Sequence, residues 1–187
     1  MPAPVLPWLD YRWSFDYPVG MFAAVCTRLR GAPARLEELL RTADAAVLTR
    51  RREGRWSAQG HAGHLVKVEA LWQKRLAEYR AGAGVLTAAD MSNRATEETD
   101  FDTLRPDDVL AAFRAARAST MEQLDPLTIE DAARTAHHPR LDRPMRLVAL
   151  CVAAAEHDDH HLAAIHALLR PLAAPPTLSS RARADRA

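Results

Sequence analysis

The sequence predicts an all-α protein, a four-helix bundle with an irregular segment at its N-terminus. Ala, Leu, Arg and Glu dominate the composition and only seven of the 187 residues are glycine, which favours helices over strands. Apolar residues recur at steps of three and four along several long stretches, as on the buried face of a helix. A chain of this length fits one domain. We therefore expect an irregular segment over 1–17, one bundle domain over 18–171 and a disordered tail over 172–187.

The charge balance limits the kinds of partner that we expect, and the cysteine content indicates the compartment. Lys and Arg total 25 and Asp and Glu 24, a formal net charge of +1, so we expect neither a nucleic-acid partner nor a membrane partner. The two cysteines form no CxxC pattern, which fits a reducing compartment. No stretch resembles a signal peptide or a membrane span. A cytoplasmic protein with a small-molecule ligand is the expectation.

The first helical region follows an aromatic stretch, residues 8–17, that we expect to lie across the bundle. The spacing predicts a helix from Val19 to Leu29 that stops near Gly31. Pro33 suits the first turn of a new helix, because a missing N–H does no harm there. The second helix of this region is predicted to continue to Ala46 and to be the first helix of the bundle.

The second bundle helix is predicted to begin after Ser57, a suitable N-cap, and to reach about Arg80. The polar connection that follows, residues 82–104, is long enough to be either a crossover or a lid over a pocket.

The third bundle helix is predicted from Pro106 to Leu124, ahead of an Asp-Pro break. A short capped turn should follow at residues 128–131, and residues 136–143, which contain His137 and His138, are predicted to be a loop. We expect the fourth helix to run from Pro144 to Leu169.

Two histidines interrupt the apolar seam of the fourth helix. His157 and His161 are four residues apart, so their imidazoles share one face, the spacing of a first-row metal site. Burying two adjacent imidazoles is costly unless both are satisfied, and a divalent cation does so. A third ligand from the second helix would be His61 or His64, and the periodicity leaves both open. A lone buried histidine is more often a hydrogen-bonded core residue.

Carboxylates near these histidines have several possible roles. Glu69 borders the same face of the second helix and could be a general base, an acceptor for a ligand imidazole, or an ion-pair partner of Lys67 or Arg75. Asp158 could orient a ligand imidazole. His160 is expected to face solvent, and His137, His138 and His166 are most simply surface or loop residues.

The chain resembles the DinB-like metal-binding four-helix bundles, whose relatives include bacillithiol S-transferases and mycothiol-dependent maleylpyruvate isomerases. The resemblance covers about residues 30–170. It is carried by Arg55-Trp56-Ser57 followed by His64-Leu65 and Glu69, by His138-Pro139-Arg140, and by Glu156-His157-Asp158-Asp159-His160-His161.

The resemblance implies that one divalent ion, Ni, Zn, Fe or Mn, is held by His64, His157 and His161, so it selects His64 over His61. It also implies an up-down-down-up bundle that frequently forms homodimers. The leading hypothesis is a metal-dependent enzyme, of thiol S-transferase or hydrolase type, that activates a low-molecular-weight thiol or a water towards a small electrophile. Glu69 is the candidate base. The alternative is a non-catalytic stress-response or ligand-binding module that the metal stabilises.

Overall fold

The computed structural model describes residues 5–41, 43–52 and 54–170 and is mostly helical. Four long helices form a bundle, as predicted, and shorter elements connect them. The tail predicted over 172–187 lies outside the described residues. The helices are α1 (Phe22–Arg41), α2 (Ala45–Leu48), α3 (Ala58–Arg80), α4 (Arg94–Glu97), α5 (Pro106–Leu124), α6 (Ile129–Ala133) and α7 (Leu147–Leu169); the strands are β1 (Thr135–His138) and β2 (Arg143–Arg146); and 3-10 turns occur at Trp8–Asp10, Val19–Met21 and Phe101–Thr103.

The bundle has the up-down-down-up arrangement. Helices α1 and α3 are diagonal to each other, and each packs against both α5 and α7. Cross-helix pairs show that α1 and α7 run in one direction while α3 and α5 run in the other. Consecutive helices α3 and α5 are therefore parallel, and the chain between them must cross the bundle. The pairs are Arg30–Asp125 and Glu37–Arg114 for α1 with α5, Arg28–Glu156 and Arg35–Asp159 for α1 with α7, and His64–His157 and His61–His161 for α3 with α7.

Helix α1 is continuous through Pro33, so the predicted break near Gly31 is wrong. A proline inside a helix removes the N–H that would bond to the carbonyl four residues earlier. That carbonyl belongs to Leu29, and the Arg117 guanidinium donates to it instead, with Nη1 2.9 Å from the oxygen. A buried side chain from α5 thus replaces the missing backbone donor, and no local pattern in the sequence reveals it.

A β-hairpin replaces the loop predicted over 136–143 and the first turn of the predicted fourth helix. Strands β1 and β2 pair antiparallel, with Pro144 opposite His137. On its other side β1 pairs with the chain near Val85, where the amide of Leu86 donates to the carbonyl of His137 at 2.9 Å. β2 is therefore an edge strand, which accepts a proline. The sequence suggests a helix start at Pro144, because a strand of four residues is too short to show an alternation of buried and exposed side chains.

The connection between α3 and α5 is a crossover, one of its two predicted forms. The starts of both adjoining helices match the sequence prediction: Ser57 caps the N-terminus of α3 by accepting from the amide of Gly60 at 2.8 Å, and Pro106 begins α5. Each helix in the described part of the chain is too short or too polar to span a lipid bilayer.

The bundle interior contains two apolar cores with a polar layer between them. One core includes residues 72–79 of α3 and 147–155 of α7, and the other includes residues 58–65 of α3 and 162–165 of α7. Glu69, Arg117, His157, Asp158 and His161 are buried in the intervening layer. Burying that many polar groups requires that each find a partner.

Candidate metal centre

Three buried histidines converge in the polar layer. The Nε2 atom of His157 lies 3.3 Å from Nε2 of His64 and 3.2 Å from Nε2 of His161. One ligand nitrogen from each of the three lies within 4.8 Å of the other two. Helix α7 supplies two of these side chains from adjacent turns, and antiparallel α3 supplies the third. The structure thus brings together the three residues predicted as metal ligands.

The chemistry of this nitrogen set fits a divalent cation. Burial lowers the pKa of His64 to about 4 and lowers the pKa values of His157 and His161 well below their usual value, so all three imidazoles are neutral. A neutral imidazole carries one proton and one lone pair. Two facing nitrogens can share one proton, so that one ring donates and the other accepts through its lone pair at 3.2–3.3 Å. A divalent cation would instead bind the lone pairs of all three Nε2 atoms, with each ring proton on Nδ1.

The outward-facing nitrogens of two of these rings have hydrogen-bond partners. Nδ1 of His64 lies 3.0 Å from Oγ1 of Thr96, and Nδ1 of His161 lies 2.8 Å from Nδ1 of His61. When Nε2 binds a metal the ring proton resides on Nδ1, so each ligand donates to its partner. His61 thus contacts the outer nitrogen of His161, whereas Nε2 of His64 lies in the histidine cluster itself. Thr96 belongs to the crossover, and no pattern in the sequence singles it out.

The third ring is enclosed by aromatic side chains. Nδ1 of His157 has no hydrogen-bond partner among the described residues. The indole of Trp8 packs edge-on against this imidazole, with ring centroids 4.9 Å apart, and the indole of Trp72 lies 5.9 Å away. The N-terminal segment, predicted to lie across the bundle, thus covers the histidine cluster with Trp8. His160, predicted to face solvent, is half-buried beside the same indole.

The three histidines lie on the wall of a cavity of about 400 Å³. Its walls come from the N-terminal segment, α3, the crossover, the β-hairpin and α7. The crossover contributes residues between 89 and 96, so it also covers the cavity. The aromatic lining residues are Trp8, Trp13, Trp56 and Trp72. A cavity with apolar walls and a few converging polar groups is typical of a small-molecule site.

Glu69 lies outside the group that lines this cavity. Its Oε1 accepts from Nε and Nη2 of Arg117 at 3.0 and 2.5 Å, and its Oε2 accepts from the hydroxyl of Thr120. Neither Lys67 nor Arg75, its two expected partners, forms an ion pair with it among the described residues. Both oxygens are therefore already bonded to the side chains of α5.

Asp158 also binds Arg117 and makes no hydrogen bond to a ligand imidazole among the described residues. Its oxygens accept from Nη1 at 2.7 Å and from Nη2 at 3.0 Å. Burial raises the pKa of Asp158 to about 6, and Arg117 opposes that rise. Two carboxylates thus share one guanidinium, which no spacing in the sequence could indicate because the cation comes from another helix.

His138 was predicted to be a surface or loop residue, and that prediction is wrong. It is 6% exposed, lies on β1 and lines the cavity. Its Nδ1 accepts from the amide of Leu141 at 3.3 Å. Burial, with the nearby charges of Arg75 and Arg140, lowers its pKa to about 4. The error follows from the missed strand, since β1 turns this side chain inward.

Comparisons with known proteins agree with this fold. The model of the DinB superfamily matches residues 28–165. YfiT from Bacillus subtilis, described as a probable metal-dependent hydrolase with an unusual four-helix bundle topology, is 20% identical with a TM-score of 0.73, over 85% of this chain and 91% of that one. A mycothiol-dependent maleylpyruvate isomerase is 14% identical with a TM-score of 0.62, over 82% of this chain and 62% of that one. No curated protein sequence matches the chain.

Proposed function

This chain belongs to the DinB superfamily, and we propose that it is a metal-dependent enzyme that acts on a small electrophilic molecule with a thiol or a water as the nucleophile. The observation that carries the proposal is the convergence of three neutral imidazoles on the wall of a cavity of about 400 Å³. The descriptions of the two similar structures, one a probable metal-dependent hydrolase and the other mycothiol-dependent, support this reaction class.

His64, His157 and His161 would hold one divalent ion, of Ni, Zn, Fe or Mn. Such an ion supplies Lewis-acid chemistry, which lowers the pKa of a water or a thiol. Thr96 and His61 keep the rings of His64 and His161 in the orientation that directs Nε2 inward. Preorganised ligands of this kind need no rearrangement when the ion binds.

The cavity walls have two roles in this proposal. The indoles of Trp8 and Trp72 lie beside His157 and limit the access of bulk water to it. A low local polarity strengthens electrostatic interactions within the site. Apolar walls also provide area on which a small substrate can bind.

Glu69, the base expected from the sequence, has no part in proton transfer in this proposal. A general base needs a free lone pair within hydrogen-bond reach of the proton that it removes. Glu69 does not line the cavity, and its two oxygens already accept three hydrogen bonds from Arg117 and Thr120. We propose instead that Glu69 positions α5 against α3.

Turnover by the metal-loaded full chain tests this function. The protein, reconstituted in turn with Ni, Zn, Fe and Mn, is assayed for hydrolysis of p-nitrophenyl acetate and for transfer of small thiols to 1-chloro-2,4-dinitrobenzene. We expect the double substitution His157→Ala, His161→Ala to reduce turnover by roughly 100-fold or more, because it removes two of three ligands. Replacement of the exposed His166 of the same helix by Ala is the matched control.

Two results would contradict the proposal. Unchanged turnover in the double variant, after its metal is lost, would show that the reaction does not use this site. A wild-type chain that binds metal but turns over neither substrate, with any of the four metals, would favour the non-catalytic module that the ion stabilises.

A further inference from the structure

Arg75 is a buried cation without an ion-pair partner among the described residues. It lies on α3 and is 2% exposed. Its Nε donates to the carbonyl of Thr87 at 2.9 Å, and its Nη2 has no hydrogen-bond partner among the described residues. Burial lowers the pKa of this guanidinium to about 10, which still leaves it charged at neutral pH. A buried charge without a hydrogen-bonded counter-ion is costly, and buried charges in proteins are normally paired.

A second unpartnered donor lies next to it. Trp72, one turn earlier on the same helix, is 7% exposed, and its Nε1 has no hydrogen-bond partner among the described residues. Its ring lies 5.7 Å from the guanidinium carbon of Arg75 and 5.9 Å from the ring of His157. Both residues, Trp72 and Arg75, line the cavity that contains the three histidines. One indole therefore adjoins both the unpaired cation and the candidate metal centre.

The carboxylates near this part of the cavity already accept hydrogen bonds from groups other than Arg75. Asp90 is the carboxylate among the described lining residues, and it is exposed. Its oxygens accept from the amides of Ser92 and Arg94 at 2.9 and 3.0 Å. Glu78 raises the pKa of Arg75 through its charge, but its oxygens accept from the amide and the hydroxyl of Thr87.

Apart from Asp90, the charged residues among the described lining residues of the cavity are positive. Arg140 and Lys67 line the cavity with exposed side chains. Exposed cations are solvated and do not require a partner, whereas the buried guanidinium does. The cavity thus has a positively charged region beside a cluster of neutral imidazoles.

We propose that Arg75, assisted by Nε1 of Trp72, binds a carboxylate group of the substrate. The substrate class is therefore a small carboxylic acid whose electrophilic carbon reaches the three histidines while its carboxylate stays at Arg75. A planar guanidinium matches the two oxygens of a carboxylate. One buried positive charge is balanced by a monoanion, which favours a carboxylate over a phosphate dianion. That this acid is a substrate rests on the proposed function, whereas the anion site at Arg75 does not depend on it.

Ligand binding to the metal-free full chain tests the anion site separately from turnover. Isothermal titration calorimetry at pH 7.5, with a chelator present, compares acetate and benzoate with the neutral benzamide and with phenylphosphonate. We expect benzoate to bind roughly ten- to a hundred-fold more tightly than benzamide, because only the anion pairs with Arg75. Arg75→Gln should abolish this preference and Arg75→Lys should retain part of it. Arg80→Gln, at an exposed position on the same helix, should bind like the wild type.

Equal affinity of the wild type for benzoate and benzamide would overturn the inference, and this comparison needs no variant to fold. No saturable binding of acetate or benzoate would overturn it too, as would an unchanged preference in Arg75→Gln. Tighter binding of phenylphosphonate than of benzoate would overturn the carboxylate assignment and identify a phosphoryl group as the ligand of Arg75. If benzoate binds as expected while the metal-loaded chain shows no turnover, the anion site stands and the proposed enzyme does not.

Discussion

The guanidinium of Arg117 binds the carboxylate of Asp158 through two hydrogen bonds, of 2.7 Å from Nη1 and 3.0 Å from Nη2. Asp158 directly follows His157 in α7, so this pair fixes the helix that carries two candidate ligands. The same guanidinium also donates to Glu69 of α3 and to the carbonyl of Leu29 in α1. One buried side chain of α5 thus joins all four helices of the bundle.

Replacing Arg117 by Met should destabilise the protein by about 3–5 kcal/mol, because it leaves two buried carboxylates unpaired and the carbonyl of Leu29 without a donor. Urea unfolding followed by circular dichroism measures the change in the free energy of unfolding. Arg114→Gln, which breaks a partly exposed ion pair with Glu37 on the same helix, should cost less than about 1 kcal/mol. Similar losses in both variants would show that the buried network has no special role.

The double substitution His157→Ala, His161→Ala should remove bound metal from the purified, untagged chain. We expect about one ion per wild-type chain and almost none per variant chain, because a single remaining imidazole binds weakly. Elemental analysis after dialysis gives the ratio. His166→Ala should retain the wild-type ratio. Metal retained in the double variant would show that the ion binds elsewhere in the chain.

His61 and His64 should differ in their effect on metal affinity. His64→Phe should abolish stoichiometric binding, because it removes an Nε2 donor. His61→Phe should weaken binding by roughly 10–100-fold, because it removes only the hydrogen-bond partner of His161. Competition with a chromogenic chelator measures both affinities. The reverse order would identify His61 as the ligand.

Acid should destabilise the metal-free wild type more than the His138→Gln variant. The pKa of His138 is about 4 in the folded chain, below the ordinary value of 6.5, so the unfolded chain binds more protons between these values. The stability that the neutral His138 contributes is complete above pH 6.5 and is lost as the pH falls towards 4. We expect the variant to lose less stability over this range, by on the order of 2 kcal/mol.

Urea unfolding at pH 7 and pH 4.5 in the presence of a chelator provides the comparison for His138. The other histidines are present in both proteins, so the difference in pH dependence reports on His138. An equal loss of stability in both proteins between pH 7 and pH 4.5 would show that burial on β1 does not lower the pKa of His138.

Gly63→Ala should destabilise the chain, whereas Gly31→Ala should not. A Cβ atom at Gly63 would lie 2.2 Å from the ring of Phe101, a buried residue of the crossover. We expect a cost of about 1–3 kcal/mol from that overlap. A Cβ at Gly31 meets nothing within 4 Å, and the gain in helix propensity should stabilise the protein by about 0.5–1 kcal/mol. Thermal unfolding of both variants tests the contrast, and equal effects would contradict the close packing of the crossover.

Local patterns in the sequence determined much of the bundle and part of the site. The Ser57 cap and Pro106 predicted where α3 and α5 begin, since capping depends on a few neighbouring residues. The spacing of His157 and His161 predicted a shared helix face, because that face follows from helix geometry alone. Selection of His64 over His61 required the family resemblance, as both lie on the inward half of one helix.

Tertiary structure decided the features whose partners are distant in the chain. Pro33 remains inside α1 because Arg117, which is 84 residues later, bonds to the carbonyl of Leu29. The β-hairpin turns His138 inward by pairing with residues near Val85, and Thr96 reaches His64 only once the crossover has folded over the bundle. The roles that we propose for Glu69 and Arg75 follow from the ion-pair partners that Glu69 has, and that Arg75 lacks, among the described residues. A side chain's charge and spacing are local properties, whereas its burial and its partner depend on the packing of all four helices.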